Sequence, residues 1–183
     1  MRRKIALFLF CSLMMFAVSA AAEDKAEIFG GYQYLHASSG TSGVSGFSLN
    51  GWNGSLSGYW NHFLGLTADF SGTYGTPSYQ GVGVSTHLYT YMFGPVVHAH
   101  AGKLSPFAHA LFGGAHISGA VSGGGVTVSS SDSGFAYALG GGVDYKFLPH
   151  VSIRVGQFDF LQTHISGDSQ NNFRYSGGVV IRF

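Results

Sequence analysis

Residues 173–183 read Phe-Arg-Tyr-Ser-Gly-Gly-Val-Val-Ile-Arg-Phe, and every second one is apolar or small: Phe173, Tyr175, Gly177, Val179, Ile181 and Phe183. Arg174, Ser176 and Arg182 fall between them. A period of two gives the two faces of a β-strand different surroundings. The segment has about the length a tilted strand needs to cross a bilayer, and it ends on an aromatic residue. The expected role is the closing strand of a cylinder, with Tyr175, Val179, Ile181 and Phe183 on its outer, lipid-facing side.

The amino terminus fits an exported chain. Arg2, Arg3 and Lys4 precede an apolar run from Ile5 to Val18, followed by Ser19, Ala20, Ala21 and Ala22. That is a positive region, an apolar core and an Ala-x-Ala cleavage site, which predicts a removable signal helix over 1–22 and a mature domain over 23–183. The apolar run, about 14 residues, falls short of the ~20 that a spanning helix needs. Cys11 lies in this signal, so the mature chain is expected to have no disulfide or thiol chemistry.

Composition points the same way. Charged residues are 9% of the chain, against about 25% in soluble domains. Such a surface is a solubility risk in water but suits a barrel whose outside meets lipid. Six Lys and Arg remain after the signal against eight acids, a net charge of −2 with no basic stripe. Nucleic-acid binding is therefore not expected.

Eight strands are predicted, at about 26–36, 47–60, 63–74, 84–95, 105–118, 134–147, 150–162 and 173–183. The connections 37–46, 75–83, 119–133 and 163–172 are long and rich in Gly, Ser and Thr. Asn61-His62 and Leu148-Pro149 are tight, and 96–104 is longer than a tight turn. Long loops alternating with short turns are the arrangement of an antiparallel up-and-down transmembrane barrel, with the termini in the periplasm. Along 63–74, Leu64, Leu66, Ala68 and Phe70 are expected to face lipid, and Thr67, Asp69, Ser71 and Thr73 the interior. Along 135–147, Phe135, Tyr137, Leu139, Val143, Tyr145 and Phe147 face lipid, while Gly140, Gly142, Asp144 and Lys146 face inward. Parity does not decide 105–118. In the seventh strand Gln157 and Asp159 share the outward parity of Ile153 and Val155, which a bulge or emergence from the bilayer accounts for.

Four stretches carry a family resemblance: Ile28-Phe29-Gly30-Gly31-Tyr32, Tyr91-Met92-Phe93-Gly94-Pro95, Pro106-Phe107-Ala108-His109-Ala110 and Gln170-Asn171-Asn172-Phe173-Arg174-Tyr175-Ser176-Gly177. On these the mature chain resembles the OmpA-like family of small outer-membrane β-barrel proteins. The resemblance implies an eight-stranded barrel in the outer membrane. The peptidoglycan-binding domain that follows the barrel in OmpA itself is expected to be absent.

An eight-stranded interior is just wide enough for side chains to fill. The predicted interior charges are Asp69, Asp144, Lys146, Arg154, Arg174 and Arg182. A turn about Pro149 sets Asp144 opposite Arg154 and Lys146 opposite Ser152. Losing one partner of such a pair in a dry site costs roughly 3–5 kcal/mol. A structural plug is preferred to a gate for water or small ions.

Three features could carry other chemistry. His164 and Ser166, two apart on a strand, share a face and form a possible base–nucleophile pair. Lipid A deacylases are barrels with a His-x-Ser motif and a downstream Glu, but here no Glu follows, Asp168 is the nearby acid, and His116-Ile117-Ser118 repeats the tripeptide. His98 and His100, with His109 nearby, make a two-ligand metal site that lacks a carboxylate, so no metal is assigned. Gly113-Gly114, Gly123-Gly124-Gly125 and Gly140-Gly141-Gly142 lack the Lys-Ser/Thr of a phosphate loop.

The expected function is therefore non-enzymatic and cofactor-free: a filled barrel of structural or surface-interaction role that displays four extracellular loops. The alternatives are a lipid A-modifying enzyme and a narrow ion channel. The expected partners are outer-membrane lipid and lipopolysaccharide, the barrel assembly machinery through the C-terminal strand, and a surface ligand through the loops.

Overall fold

In the computed structural model, residues 25–38, 46–76, 78–79, 82–123, 126–165 and 168–183 are described. The expected signal segment and Ser166 lie outside them. The strands are β1 (Ala26–Ala37), β2 (Phe47–Tyr59), β3 (Leu64–Gly75), a two-residue β4 (Ser78–Tyr79), β5 (Val82–His98), β6 (Leu104–Gly123), β7 (Val126–Leu148), β8 (Val151–Ile165) and β9 (Asp168–Arg182). Each long strand pairs antiparallel with its sequence neighbour, β1 pairs with β9, and β3 pairs with β5 around the short β4. The result is a closed eight-stranded barrel without a free edge.

The alternation predicted from sequence governs which side chains are buried, with polarity reversed relative to a soluble protein. Leu66, Phe70, Phe93, Leu139, Phe158 and Ile181 are exposed on the outer wall, while Asp69, Asp144, Arg154, Asp159 and Arg174 are buried. Soluble folds do the opposite. Towards the ends of β1–β3, β5 and β6 distant from the short turns, the outer face changes to Tyr, Trp, His and Ser. Tyr34 and Ser48 hydroxyls lie 2.7 Å apart, and Trp52 donates to Tyr74 at 3.3 Å. Such amphipathic aromatics belong at a bilayer interface.

Three sequence expectations require correction or completion. The 96–104 connection is short: β5 continues to His98, Ala101 and Leu104 exchange backbone bonds at 2.8 and 3.2 Å, and Gly102 sits at φ 67° between them. A positive φ there suits glycine, which has no Cβ to clash. Second, 119–133 is largely not a loop. The β6–β7 ladder continues outward through Ser118↔Ser131 and Val121↔Val128 to Gly123↔Val126. Its Ser- and Gly-rich composition reads as coil because both faces leave the hydrocarbon and need no apolar alternation. Likewise β9 begins at Asp168 and β8 runs to Ile165.

Third, the parity break in β8 is a bulge. Val143 pairs with Gly156 but Asp144 with Arg154, and towards β9 the register shifts between Arg154 and Gln157. The extra residue turns Gln157 and Asp159 inward and leaves Val155 and Phe158 outside. In β6, left open by parity, Ser105, Phe107, His109 and Leu111 point inward.

Candidate functional site

The lumen is filled in two layers. Nearer the long connections it is mainly apolar: Leu35, Leu49, Met92, Leu111, Ala138 and Leu161 belong to one packed cluster, with the buried Thr73, Thr90, Thr163 and Asn172 on the same inward faces. Nearer the short turns the lumen is charged. These two ends are called the loop end and the turn end below.

The charged layer is one connected hydrogen-bond network. Asn53 donates to Asp69 at 2.9 Å, and Arg174 donates from Nη1 to Asp69 and from Nε to Asp159, both at 2.7 Å. Asp159 also meets His109 Nε2 and accepts from Gln157, both at 2.8 Å. Arg154 donates to Gln157 at 2.9 Å and grips Asp144 through Nε and Nη2 at 2.8 and 3.2 Å. Arg182 donates to Asp144 at 2.9 Å, Ser152 at 2.8 Å and Glu27 at 3.3 Å. The Tyr59 hydroxyl completes the chain by donating to Glu27 at 2.9 Å. The Arg154 guanidinium is also sandwiched between the rings of Phe29 and Phe107, 4.3 and 4.1 Å from their centroids.

This arrangement brings five of the six predicted interior charges together: Asp69, Asp144, Arg154, Arg174 and Arg182. Asp144 pairs with Arg154 and Lys146 with Ser152 in the β7–β8 ladder. Lys146 is the exception. It has the inward parity but lies at the rim, exposed to solvent, because β7 ends two residues later and no wall rises around it. The sequence reading did not assign Glu27, Asp159, His109 or Gln157 to the interior. The bulge hides Asp159 and Gln157, whereas the regular alternation of β1 contained the signal for Glu27, since Ile28, Gly30, Tyr32 and Tyr34 take the other face.

Gly140 lies between His109 on β6 and Asp159 on β8 in one row of the sheet. A Cβ on Gly140 would meet Asp159 Oδ1 at 2.0 Å. The missing side chain is what lets two residues separated by a whole strand bond directly. The buried set therefore pairs four carboxylates, Glu27, Asp69, Asp144 and Asp159, with three guanidiniums and one imidazole. Such groups are tolerated out of water only when fully paired.

The remaining sequence candidates are dispersed. His98 and His100 stack at 4.7 Å at the turn end, but His109 is committed to Asp159. Among the described residues no three His, Cys, Asp or Glu gather as metal ligands. His164 is exposed and stacks on Tyr137, with ring centroids 6.4 Å apart. His116, of the repeated tripeptide, meets the Ser133 hydroxyl at 2.7 Å. In the closing strand Val179 pairs with Gly30 and Ile153, Ile181 with Ile28 and Val151, and Tyr175 with Tyr34 and Phe158. The Phe183 amide donates to Ala26 at 2.9 Å.

Comparison with known proteins agrees with this geometry. Ail, the attachment invasion locus protein of Yersinia pestis, is similar with 19% identity and a TM-score of 0.67, over 88% of this chain and 99% of that one. Neisserial surface protein A follows with 14% identity and a TM-score of 0.63, over 86% and 97%. The N-terminal barrel domain of Pseudomonas aeruginosa OprF has 14% identity and a TM-score of 0.53, over 88% and 98%. At these identities the likeness is one of fold. No curated protein sequence matches the chain. The family model described as outer membrane protein beta-barrel domain matches residues 8–183, and the chain belongs to that outer-membrane family.

Proposed function

We propose that this protein is a non-enzymatic outer-membrane barrel whose filled interior makes it a rigid mount for surface-exposed segments at the loop end. The observation that carries this reading is the packing of the lumen. Between Glu27, Asp69, His109 and Arg154 the residual space is about 10 Å³, room for about one water molecule. A barrel plugged in this way has little use for its interior except stiffness, which leaves the ends to interact. The long β6–β7 hairpin supports the same view, since its backbone is paired out to Gly123↔Val126 and can hold an arm clear of the membrane.

The ligand class follows from charge. Ail has been solved in complex with the heparin analogue sucrose octasulfate. In this chain the six Lys and Arg beyond residue 22 are Lys25, Lys103, Lys146, Arg154, Arg174 and Arg182, none of them in 37–46, 75–83, 119–133 or 163–172. A polysulfate would find no cation in those segments. Hydroxyl-rich segments instead suit a neutral, hydrogen-bonding partner. On the same reading the outer wall meets lipid and lipopolysaccharide, and the closing strand ending Val179, Ile181 and Phe183 is what the assembly machinery engages.

Excision of 119–133 with a two-residue turn in its place tests the proposal. Cells expressing the shortened barrel should keep a heat-modifiable band in the outer membrane. Their adhesion to matrix-coated plates should fall to the vector-control level. Unchanged adhesion would remove the surface-binding role.

A further inference from the structure

Two concavities meet at the turn end. One, of about 730 Å³, opens on the outer wall over β2, β3 and β5, where Leu56, Leu66 and Phe93 stand around the small residues Gly58 and Ala68. The other, of about 390 Å³, opens at the mouth of the lumen and is lined by Lys25, His62, His98, His100 and Arg182, among others. Lys25, Tyr59 and Trp60 line both. One cavity is apolar and faces hydrocarbon; the other is rich in cationic and hydrogen-bond-donating groups. Glu27 and Arg182, which also line the mouth, are both buried and engage each other at 3.3 Å, with Arg182 further held by Asp144 at 2.9 Å. The cation offered to a ligand there is therefore Lys25, beside the imidazoles. The exposed lysines Lys103 and Lys146 stand at the same end.

We propose that the two concavities form one amphipathic site for an anionic phospholipid of the leaflet at the turn end. An acyl chain lies in the groove between Leu56, Leu66 and Phe93. The phosphate sits at Lys25 and the mouth, and Trp60 stands at the junction. An apolar groove alone would accept any lipid. The adjoining Lys25 selects a net negative headgroup, since each Lys or Arg near a membrane surface attracts one by about 1 kcal/mol, or about fivefold. This site rests on the outer wall facing lipid, but not on any role for the loop end.

The chain contains two tryptophans, so Trp52→Phe leaves Trp60 as the sole reporter. Trp52→Tyr is the substitute should the first variant refold poorly. The refolded protein is placed in phosphatidylcholine vesicles carrying either acyl-brominated phosphatidylglycerol or acyl-brominated phosphatidylcholine. The expected result is stronger quenching by the brominated phosphatidylglycerol, corresponding to about a fivefold binding preference, reduced to parity by Lys25→Gln. Equal quenching by both lipids, or a preference that survives Lys25→Gln combined with His100→Gln, overturns the site. Quenching by neither lipid overturns the lipid-facing wall as well, which separates the two failures.

Discussion

His109 and Asp159 bond at 2.8 Å although a full strand runs between them. Gly140 is the residue crossed, and its backbone occupies the floor beneath the bond. Gly140→Ala places a methyl group 2.0 Å from the Asp159 carboxylate and 2.4 Å from the Phe158 carbonyl oxygen, so the neighbouring strand must shift as well as the side chain. The carboxylate keeps Arg174 and Gln157 but loses the imidazole. A hydrogen bond to a charged group contributes about 2 kcal/mol. Urea unfolding of the refolded barrel should show Gly140→Ala destabilised by more than that amount, because the Phe158 backbone is displaced too, with His109→Ala added on top causing little further loss. Additive losses would mean that Gly140 acts through something other than this bond.

Arg174 provides the sharper test of the network. It is fully buried and neutralises Asp69 and Asp159 together. Arg174→Met strands two carboxylates and should cost roughly 3–5 kcal/mol. Adding Asp69→Asn should return part of the loss by removing one stranded charge. Lys146→Met, at the exposed rim, should stay within about 0.5 kcal/mol of the parent. Equal effects of Arg174→Met and Lys146→Met in the same unfolding assay would contradict the burial difference on which the network is drawn.

What the sequence could say about this interior depended on the distance over which each signal acts. Asp144 opposite Arg154 was readable because a tight turn at Pro149 fixes the register within a few residues. Arg174 and Asp69 lie 105 residues apart and meet across the lumen. Only the pairing of β1 with β9, which sets β9 next to the β1–β2–β3 meander, brings them together, and no local pattern encodes the meeting. Phe107 and Leu111 blurred the parity of β6 because an apolar side chain suits the lumen as well as lipid when it packs on Arg154 or in the loop-end cluster. The β6–β7 arm was hidden for the opposite reason: outside hydrocarbon neither face has to be apolar, and the Gly- and Ser-rich run 119–133 carries only the short alternation of Val126 and Val128.

The bulge in β8 makes a prediction of its own. Deleting Val155 removes the extra residue: Gly156 then follows Arg154 on the outer face, Gln157 and Asp159 still point inward, and Phe158 and Phe160 still point out. Deleting Ala68 from β3, whose ladders are regular, instead turns Asp69 and Ser71 to the lipid and Phe70 to the lumen. A one-residue register change flips every following side chain. The Val155 deletion should therefore give the compact, heat-modifiable band in refolding, whereas the Ala68 deletion should not. Failure of the Val155 deletion would show that the bulge does more than set the facing of β8.

Conduction should be blocked twice, because the two interior layers lie in series. In the charged layer Arg154 fills the space between Phe29 and Phe107. Beyond it, towards the loop end, Leu35, Leu49, Met92, Leu111 and Leu161, none exposed above 2%, pack into a largely apolar layer. Ions do not cross such a layer without water, and its side chains leave none a path. In planar bilayers the parent protein should give no steady conductance steps. Arg154→Ala opens the charged layer alone and should remain silent, while Arg154→Ala combined with Leu111→Ala and Met92→Ala should pass small, flickering currents. Steady steps from Arg154→Ala by itself would show that the charged layer is the sole seal.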